Sequence, residues 1–164
     1  MTYYDDISSG YEELHKEEQL KKVEEIKKHL KLEKTDKLLD VGCGTGLTTE
    51  PWDCQRYGID PAPKLLERAR QKDKIEFKLA PAEDIPYPDH HFDVVISITA
   101  IQNFQDIEKG LKEIKRVGKD KFVLSFLKKS GKKSMIDYAI RKLFKVDKTI
   151  EEDKDLIYIC EGIK

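Results

Sequence analysis

Short apolar runs recur along this chain at intervals too close for anything but strands joined by helices or turns. They are KLLDV at 37–41, RYGI at 56–59, IEFKL at 75–79, FDVVISI at 92–98, KFVLSFL at 121–127 and LIYIC at 156–160. Between them lie segments of helical period. Residues 12–31 carry Leu14, Val23, Ile26 and Leu30 among lysines and glutamates and read as a surface helix with one apolar stripe. Residues 62–72 follow Pro61 and contain Pro63, a helix-start signal, and 106–117 carries Ile107, Leu111 and Ile114 on one face. A further helix is expected over 135–144. Strands alternating with helices require an α/β domain whose mainly parallel sheet is covered on both faces, with the most hydrophobic strand, FDVVISI, at its centre. At 164 residues the chain fits one domain with a real core.

Ligands of such sheets bind beyond the carboxyl ends of the strands, where the strand order reverses. The first strand ends there in DVGCGTG, with glycines at 42, 44 and 46. Glycine lets the chain turn tightly and lets a ligand touch the backbone. The loop leads toward a helix start, whose amides attract negative charge. Only nine residues, 47–55, precede the second strand and Pro51 is among them, so that helix is expected to span a turn or two. The spacing is GxGxG rather than the dinucleotide GxGxxG, and the Gly-Lys-Ser/Thr of a P-loop is missing. From 38 to 55 there is no Lys or Arg, while Asp40, Glu50 and Asp53 are all acidic. A pyrophosphate is poorly served by that field. Asp60, ending the second strand, is placed to accept both hydroxyls of a ribose. S-adenosylmethionine combines a carboxylate, a ribose and a positive sulfonium without phosphate. The competing reading is a glycine turn that merely packs a strand on a helix.

Charged residues make up 38% of the chain, but 31 basic side chains nearly cancel 32 acidic ones, so bulk charge points to neither nucleic acid nor membrane. No apolar run approaches the ~18 residues of a spanning helix, and no basic-then-apolar leader opens the chain; the expectation is a soluble cytoplasmic protein. Cys43, Cys54 and Cys160 are too scattered for a disulfide framework or a zinc site and read as reduced thiols. The one strong charge asymmetry is 128–148, where Lys128, Lys129, Lys132, Lys133, Arg141, Lys142, Lys145 and Lys148 face only Asp137 and Asp147. A solvated helix face explains it; so does phosphate contact with RNA, or docking on an acidic partner.

DVGCGTG, YGIDPAPKLLERAR and AEDIPYPDHHFDVVISITAIQNFQD, taken in order over about 38–127, resemble the class I S-adenosylmethionine-dependent methyltransferases. Within them the chain is similar to small methyltransferase-domain proteins of the ubiquinone/menaquinone-biosynthesis type. ISITAIQNF also resembles eukaryotic enzymes that methylate a guanine of small-subunit ribosomal RNA. The resemblance implies a Rossmann-like, doubly wound, three-layer α/β/α fold. Its seven-stranded sheet is mainly parallel with the last strand, LIYIC, antiparallel. The corresponding division is a lid segment and helix over 1–35, a cofactor-binding core over 36–127, and a C-terminal helix with the final strands over 128–164. It further implies that Asp40, Gly42, Cys43, Gly44 and Gly46 hold the methionine end of the cofactor. Asp60 would bind the ribose, with Pro61 and Ala62 against the adenine. Where relatives often carry Asp-Ala-Glu this chain has Pro81, so the adenine contact falls to Ala82, Glu83 or Asp84. Thr99 and Ala100 match the segment beside the reactive methyl, and Gln102 stands where relatives often carry His.

Methyl transfer needs alignment and exclusion of water more than side-chain chemistry, and a general base only if the acceptor must lose a proton early. Candidates are His15, Glu83 and Gln102, with Gln102 and Asn103 on the substrate side; His15 on a surface helix also reads as simply solvated, and His90 and His91 as exposed in a turn. Cys43 reads as a small apolar residue packed under the loop. Tyr3, Tyr4 and Tyr11 form an aromatic cluster that either lids the cofactor and stacks on a planar acceptor or covers the apolar edge of the sheet. The acceptor is either a small planar or hydroxylated molecule, or RNA or protein presented to an open site, with a small activator subunit paired along a sheet edge. A non-catalytic cofactor-binding module is the alternative function, and a nicotinamide oxidoreductase fits the loop less well.

Overall fold

The computed structural model describes residues 9–163, with side chains from Glu12 onward. Tyr3 and Tyr4 lie outside the described residues, as does the side chain of Tyr11. The elements are α1 (Ser9–Lys27), β1 (Lys37–Val41), β2 (Gln55–Asp60), α2 (Pro63–Ala69), β3 (Ile75–Leu79), β4 (Phe92–Ser97), α3 (Ile107–Val117), β5 (Gly118–Leu127), α4 (Lys133–Leu143), β6 (Phe144–Glu151) and β7 (Asp155–Gly162), with a 3-10 turn at Ile101–Asn103. Seven strands form one sheet in the order β3-β2-β1-β4-β5-β7-β6, and β7 alone runs against its neighbours. The chain builds outward from β1 to β3 and then crosses back to β4, so the order reverses between β1 and β4.

Both faces of the sheet are covered. On one, Leu38, Val94, Ile96, Val123 and Ile157 pack with Val23, Ile26 and Leu30 of and after α1 and with Trp52. On the other, Leu39, Val41, Val95, Phe122 and Leu124 pack with Leu111, Ile114, Ile136 and Ile140 of α3 and α4. Alternation along each strand sends successive side chains to opposite layers, which is why Val94, Val95 and Ile96 of β4 read as one continuous apolar run although they face two layers.

Three expectations need correction. The apolar stripe of α1 does not include Leu14, which is 54% exposed; the buried face is Gln19, Lys22, Val23 and Ile26 instead. These stand at helical spacings of three and four, so a charged residue occupies a core position. Second, no helix follows the glycine loop. Residues 42–54 form successive turns, closed by Gly46 N–H to Cys43 O and Glu50 N–H to Gly46 O. The Trp52 indole fills the layer a crossover helix would occupy, its Nε1 donating to Thr48 O at 2.9 Å. Helix-start amides therefore play no part at this loop. Third, 144–151 is a strand that the sequence reading leaves unassigned. Phe144, Val146 and Ile150 are its apolar positions, but a register shift between Val146 and Lys148 breaks the alternation, and its remaining side chains are charged or polar. Such a pattern suits a bulged edge strand and hides it from period-2 reading.

Among the described residues no helix is long and apolar enough to cross a membrane. The basic residues of 128–148 are spread over the β5–α4 turn, α4 and β6, and several are already partnered. Lys128 pairs with Glu151 and Lys142 with Glu108. Arg141 pairs with Asp137, and Lys145 lies near Asp147 and Glu161.

Candidate functional site

At the carboxyl ends of β1, β2 and β4, where the strand order reverses, a cleft of about 430 Å³ opens. It is lined by Gly42, Gly44, Asp60 and Pro61 on one side and by Ala82, Glu83, Thr99, Ala100 and Asn103 on the other, with Leu65, Pro81, Phe104 and Gln105 at its walls. An open groove of about 680 Å³ between α1 and β6 is larger, but it is lined chiefly by Glu and Lys and contains none of the loop or strand-end residues, so the chemistry attaches to the smaller cleft.

The loop conformation follows from its glycines. Gly42 has φ +77°, a region L-residues avoid, and a Cβ there would lie 2.6 Å from the Ala100 Cβ. The close approach of β1's end to β4's end is possible only with that position bare. Gly44 also has positive φ, and a Cβ on it would meet nothing within 4 Å: its exposed face is the cleft itself. Behind the loop, Lys72 packs its stem against Gly46 and pairs with Glu50 at 3.6 Å, outside the cleft lining.

Asp60 is 7% exposed and is held from both sides. Its Oδ2 accepts from Gly44 N–H at 2.9 Å and its Oδ1 from Ala62 N–H at 2.8 Å. Each oxygen keeps a lone pair free, so the carboxylate is a fixed pair of acceptors at the cleft wall. Among the described residues the lining has no Lys, Arg or His, and Asp60 and Glu83 are its only ionisable side chains. Glu83 is committed as well, since its Oε2 accepts from Asp106 N–H at 2.9 Å beside the start of α3.

Asp40 lies beneath the loop, fully buried. Thr48 and Thr49 hydroxyls donate to its Oδ2 at 2.6 and 2.7 Å, and its Oδ1 has no hydrogen-bond partner. Burial pushes its carboxyl up to about 6, against the pull of the two threonines. A buried carboxylate without a cation is poised for a positive group. Cys43 packs with Leu66, Ala69 and Phe77, and burial with the nearby Asp40 and Asp60 charges pushes its thiol up, the opposite of a nucleophile.

The remaining sequence candidates are dispersed. Gln102 turns back to donate from Nε2 to Thr99 O at 3.0 Å and does not line the cleft. Ala62 lies just outside the lining and Asp84 is exposed in the following turn. His15, on the outer part of α1, is also outside the lining; burial and then the Lys22 charge lower its pKa. His90 is exposed with φ +52°, whereas His91 is half-buried and stacks on Tyr87 at 5.7 Å. Sequence reasoning missed Phe104, Leu65 and Gln105. A signal for Phe104 was present: Gly110 sits inside α3, and a Cβ there would lie 2.5 Å from the Phe104 ring, so the helix is bare where the ring packs.

Known proteins resemble this chain in sequence and in fold. A demethylmenaquinone methyltransferase of Chlorobaculum parvum is 37% identical over 91 residues, 52% of this chain and 37% of its own length. An uncharacterized protein of Methanocaldococcus jannaschii is 29% identical over 124 residues, 76% of this chain and 49% of its own. The chain thus spans no more than about half the length of these curated relatives. Among solved structures, a methyltransferase in complex with the Trm112 methyltransferase activator of Haloferax volcanii superposes with TM-score 0.78 at 16% identity, covering 95% of both chains. The [4+2]-cyclase SpnF superposes with TM-score 0.77 at 14% identity over 87% of this chain and 80% of its own, so the fold by itself does not select one reaction. The family described as "Methyltransferase domain" matches residues 39–126, a span that takes in the glycine loop, Asp60 and the whole cleft lining. This chain, matched over more than half its length, belongs to that methyltransferase-domain family.

Proposed function

We propose that the cleft binds S-adenosylmethionine and that the protein transfers its methyl group to an acceptor nucleophile. The observation that carries this reading is Asp60: a carboxylate fixed by two backbone N–H groups in a cleft whose lining, among the described residues, has no cation. A ribose diol matches two fixed acceptors, and a sulfonium suits the acidic field where a phosphate would be repelled. Asp40, sealed beneath the glycine loop outside the lining, adds negative charge behind the cleft, which suits a cationic ligand better than a phosphate. In this reading Gly42 and Gly44 keep the backbone open to the cofactor, and Pro61 and Phe104 give apolar walls for the adenine. The cofactor supplies a methyl carbon already activated by its sulfonium. The chain's part is to orient that carbon and keep water from it.

In this reading the ribose takes Asp60, and Glu83 keeps one oxygen tied to Asp106 N–H at the start of α3, so the lining offers no carboxylate dedicated to proton removal. This favours an acceptor that needs no early proton removal, such as a neutral amine. For partners, we propose a small activator subunit paired along an open sheet edge, β3 or β6; the solved neighbour in complex with Trm112 supports that proposal. We also propose phosphate contact with RNA through the β5–α4 turn. Lys132 there donates to Gln102 O at 3.2 Å, one residue before Asn103 of the cleft lining. RNA affinity should then fall steeply with salt, and a flat response would remove this contact.

The test is calorimetric titration with S-adenosylmethionine and S-adenosylhomocysteine, with NAD and ATP as controls, on wild type and Asp60→Ala. Micromolar binding of the first two, lost in the variant, is expected. Binding of NAD in their place would support the oxidoreductase reading. Tight cofactor binding with no methyl transfer to any cellular RNA, protein or metabolite fraction would leave a non-catalytic binding module.

A further inference from the structure

Thr99 combines two unusual properties. It lines the cleft, and it holds φ +56°, a left-handed conformation that a β-branched residue strongly disfavours. Such a backbone persists only where its surroundings over-determine it. Here every polar atom of Thr99 is engaged. Its N–H donates to Ser125 Oγ at 2.9 Å, its carbonyl accepts from Gln102 Nε2 at 3.0 Å, and its hydroxyl donates to Asp155 Oδ2 at 2.6 Å while accepting from Lys22 Nζ at 3.1 Å. Ser125 in turn donates to the same Asp155 oxygen at 2.8 Å.

At the centre of this network is an ion pair closed to solvent: Lys22 Nζ lies 3.2 Å from Asp155 Oδ1, with side chains 2% and 0% exposed. Gln19 Oε1 accepts from the same ammonium at 2.9 Å. The pair joins α1 to the first residue of β7, two elements that contribute nothing to the cleft lining. Burying two charges is costly, and well-packed apolar replacements of such pairs are often at least as stable, so stability alone is a poor reason for its presence. What the pair touches is Thr99.

We propose that Lys22 and Asp155 are positioning residues: gripping the Thr99 hydroxyl, they hold the Thr99–Ala100 backbone in the left-handed turn that forms the cleft floor against Gly42. The inference rests on the cofactor reading above. By linkage, whatever occupies the floor also favours the seated position of α1, so the N-terminal helix and the cleft are coupled in both directions.

The test uses the double variant Lys22→Met/Asp155→Val, which removes both charges together and leaves neither one buried alone. It is combined with Thr99→Gly, which adopts the left-handed turn unaided. The readouts are thermal melting, S-adenosylhomocysteine affinity and amide hydrogen exchange at 99 and 100. The double variant should stay folded and bind about tenfold or more weakly, with faster exchange at both amides. Thr99→Gly is the background that lacks the gripped hydroxyl: whatever its own affinity, adding the double variant to it should cost nothing further. Equal losses in both backgrounds, or no loss with unchanged exchange, would overturn the positioning role. Should wild type bind no S-adenosylhomocysteine, the cofactor reading fails, and exchange at 99 and 100 still decides the positioning claim. A double variant that does not fold is replaced by Asp155→Asn, judged by the same exchange and by whether Thr99→Gly removes its effect.

Discussion

Two carboxylates in this protein are completely shut off from water, and they are solved in opposite ways. Asp40, under the glycine loop, has two threonine hydroxyls on one oxygen and nothing on the other. Asp155, where β7 begins beside the carboxyl end of β5, faces the Lys22 ammonium and takes the Thr99 and Ser125 hydroxyls. One charge is left uncompensated and the other is neutralised inside the fold. The uncompensated acid sits in the segment that carries every glycine of the motif. The neutralised one is reached only through tertiary contact, and it acts on the cleft through Thr99. Under the proposed cofactor reading, ligand recognition and scaffold positioning use the same chemical group with different partners.

The contrast can be broken most directly at Asp155. Asp155→Ala leaves Lys22 buried without a counter-charge and should lose about 3–5 kcal/mol in urea denaturation, most of it recovered on adding Lys22→Met. Failure of Lys22→Met to restore stability would mean that the pair is not the unit described here.

Next is Gly42→Ala, which combines positive φ with a clash on Ala100. It should cost about 2–3 kcal/mol by thermal melting and abolish cofactor binding, while Gly44→Ala, strained but unobstructed, should fold more readily and still bind poorly.

Asp40 sharpens the comparison through pH. Its carboxyl is raised to about 6 in the folded protein from an ordinary value of 3.8, so the native state holds that proton more tightly than the unfolded chain. Its contribution to stability is therefore fully present at acid pH, falls as pH rises from about 4 to 6, and stays lost above. Relative to Asp40→Asn, wild type should weaken across that window by about 2–3 kcal/mol, whereas affinity for a ligand bearing an ammonium should rise through it. A cofactor affinity flat from pH 5 to 7.5 would remove Asp40 from recognition.

Smallest of all should be Lys142→Ala. It breaks an exposed pair with Glu108 and should change stability by no more than about 0.5 kcal/mol, which makes it a control for any loss of RNA binding in the basic segment.

Strand and helix periods made most of the fold legible, since β1 to β5, β7 and the helices α2 to α4 declare themselves by local pattern. What escaped has physical causes. The strand 144–151 is a bulged, mostly charged edge, and edges must be polar to avoid pairing with other chains. The expected helix after the glycine loop is replaced by turns around Trp52, because the buried Thr48 and Thr49 hydroxyls are drawn to Asp40 rather than left to a helical register. In the cleft, Gly42, Gly44 and Asp60 were readable because their requirements are local: positive φ, and an acid at a strand end. Leu65 and Gln105 were not, since a wall residue is defined only by what stands opposite, and Phe104 is marked only by the bare Gly110 of α3.

The alternating α/β pattern, the bare loop at the end of β1 and the acid at the end of β2 are properties of neighbours along the chain, and local pattern suffices for them. That Lys22, on what reads as a solvated helix, is sealed in the core against Asp155, and that the two grip Thr99, follows from long-range packing alone. Composition and period treat a lysine as exposed by default; burial of its charge becomes tolerable only when a carboxylate from a distant strand arrives within 3.2 Å, and no local pattern records that meeting.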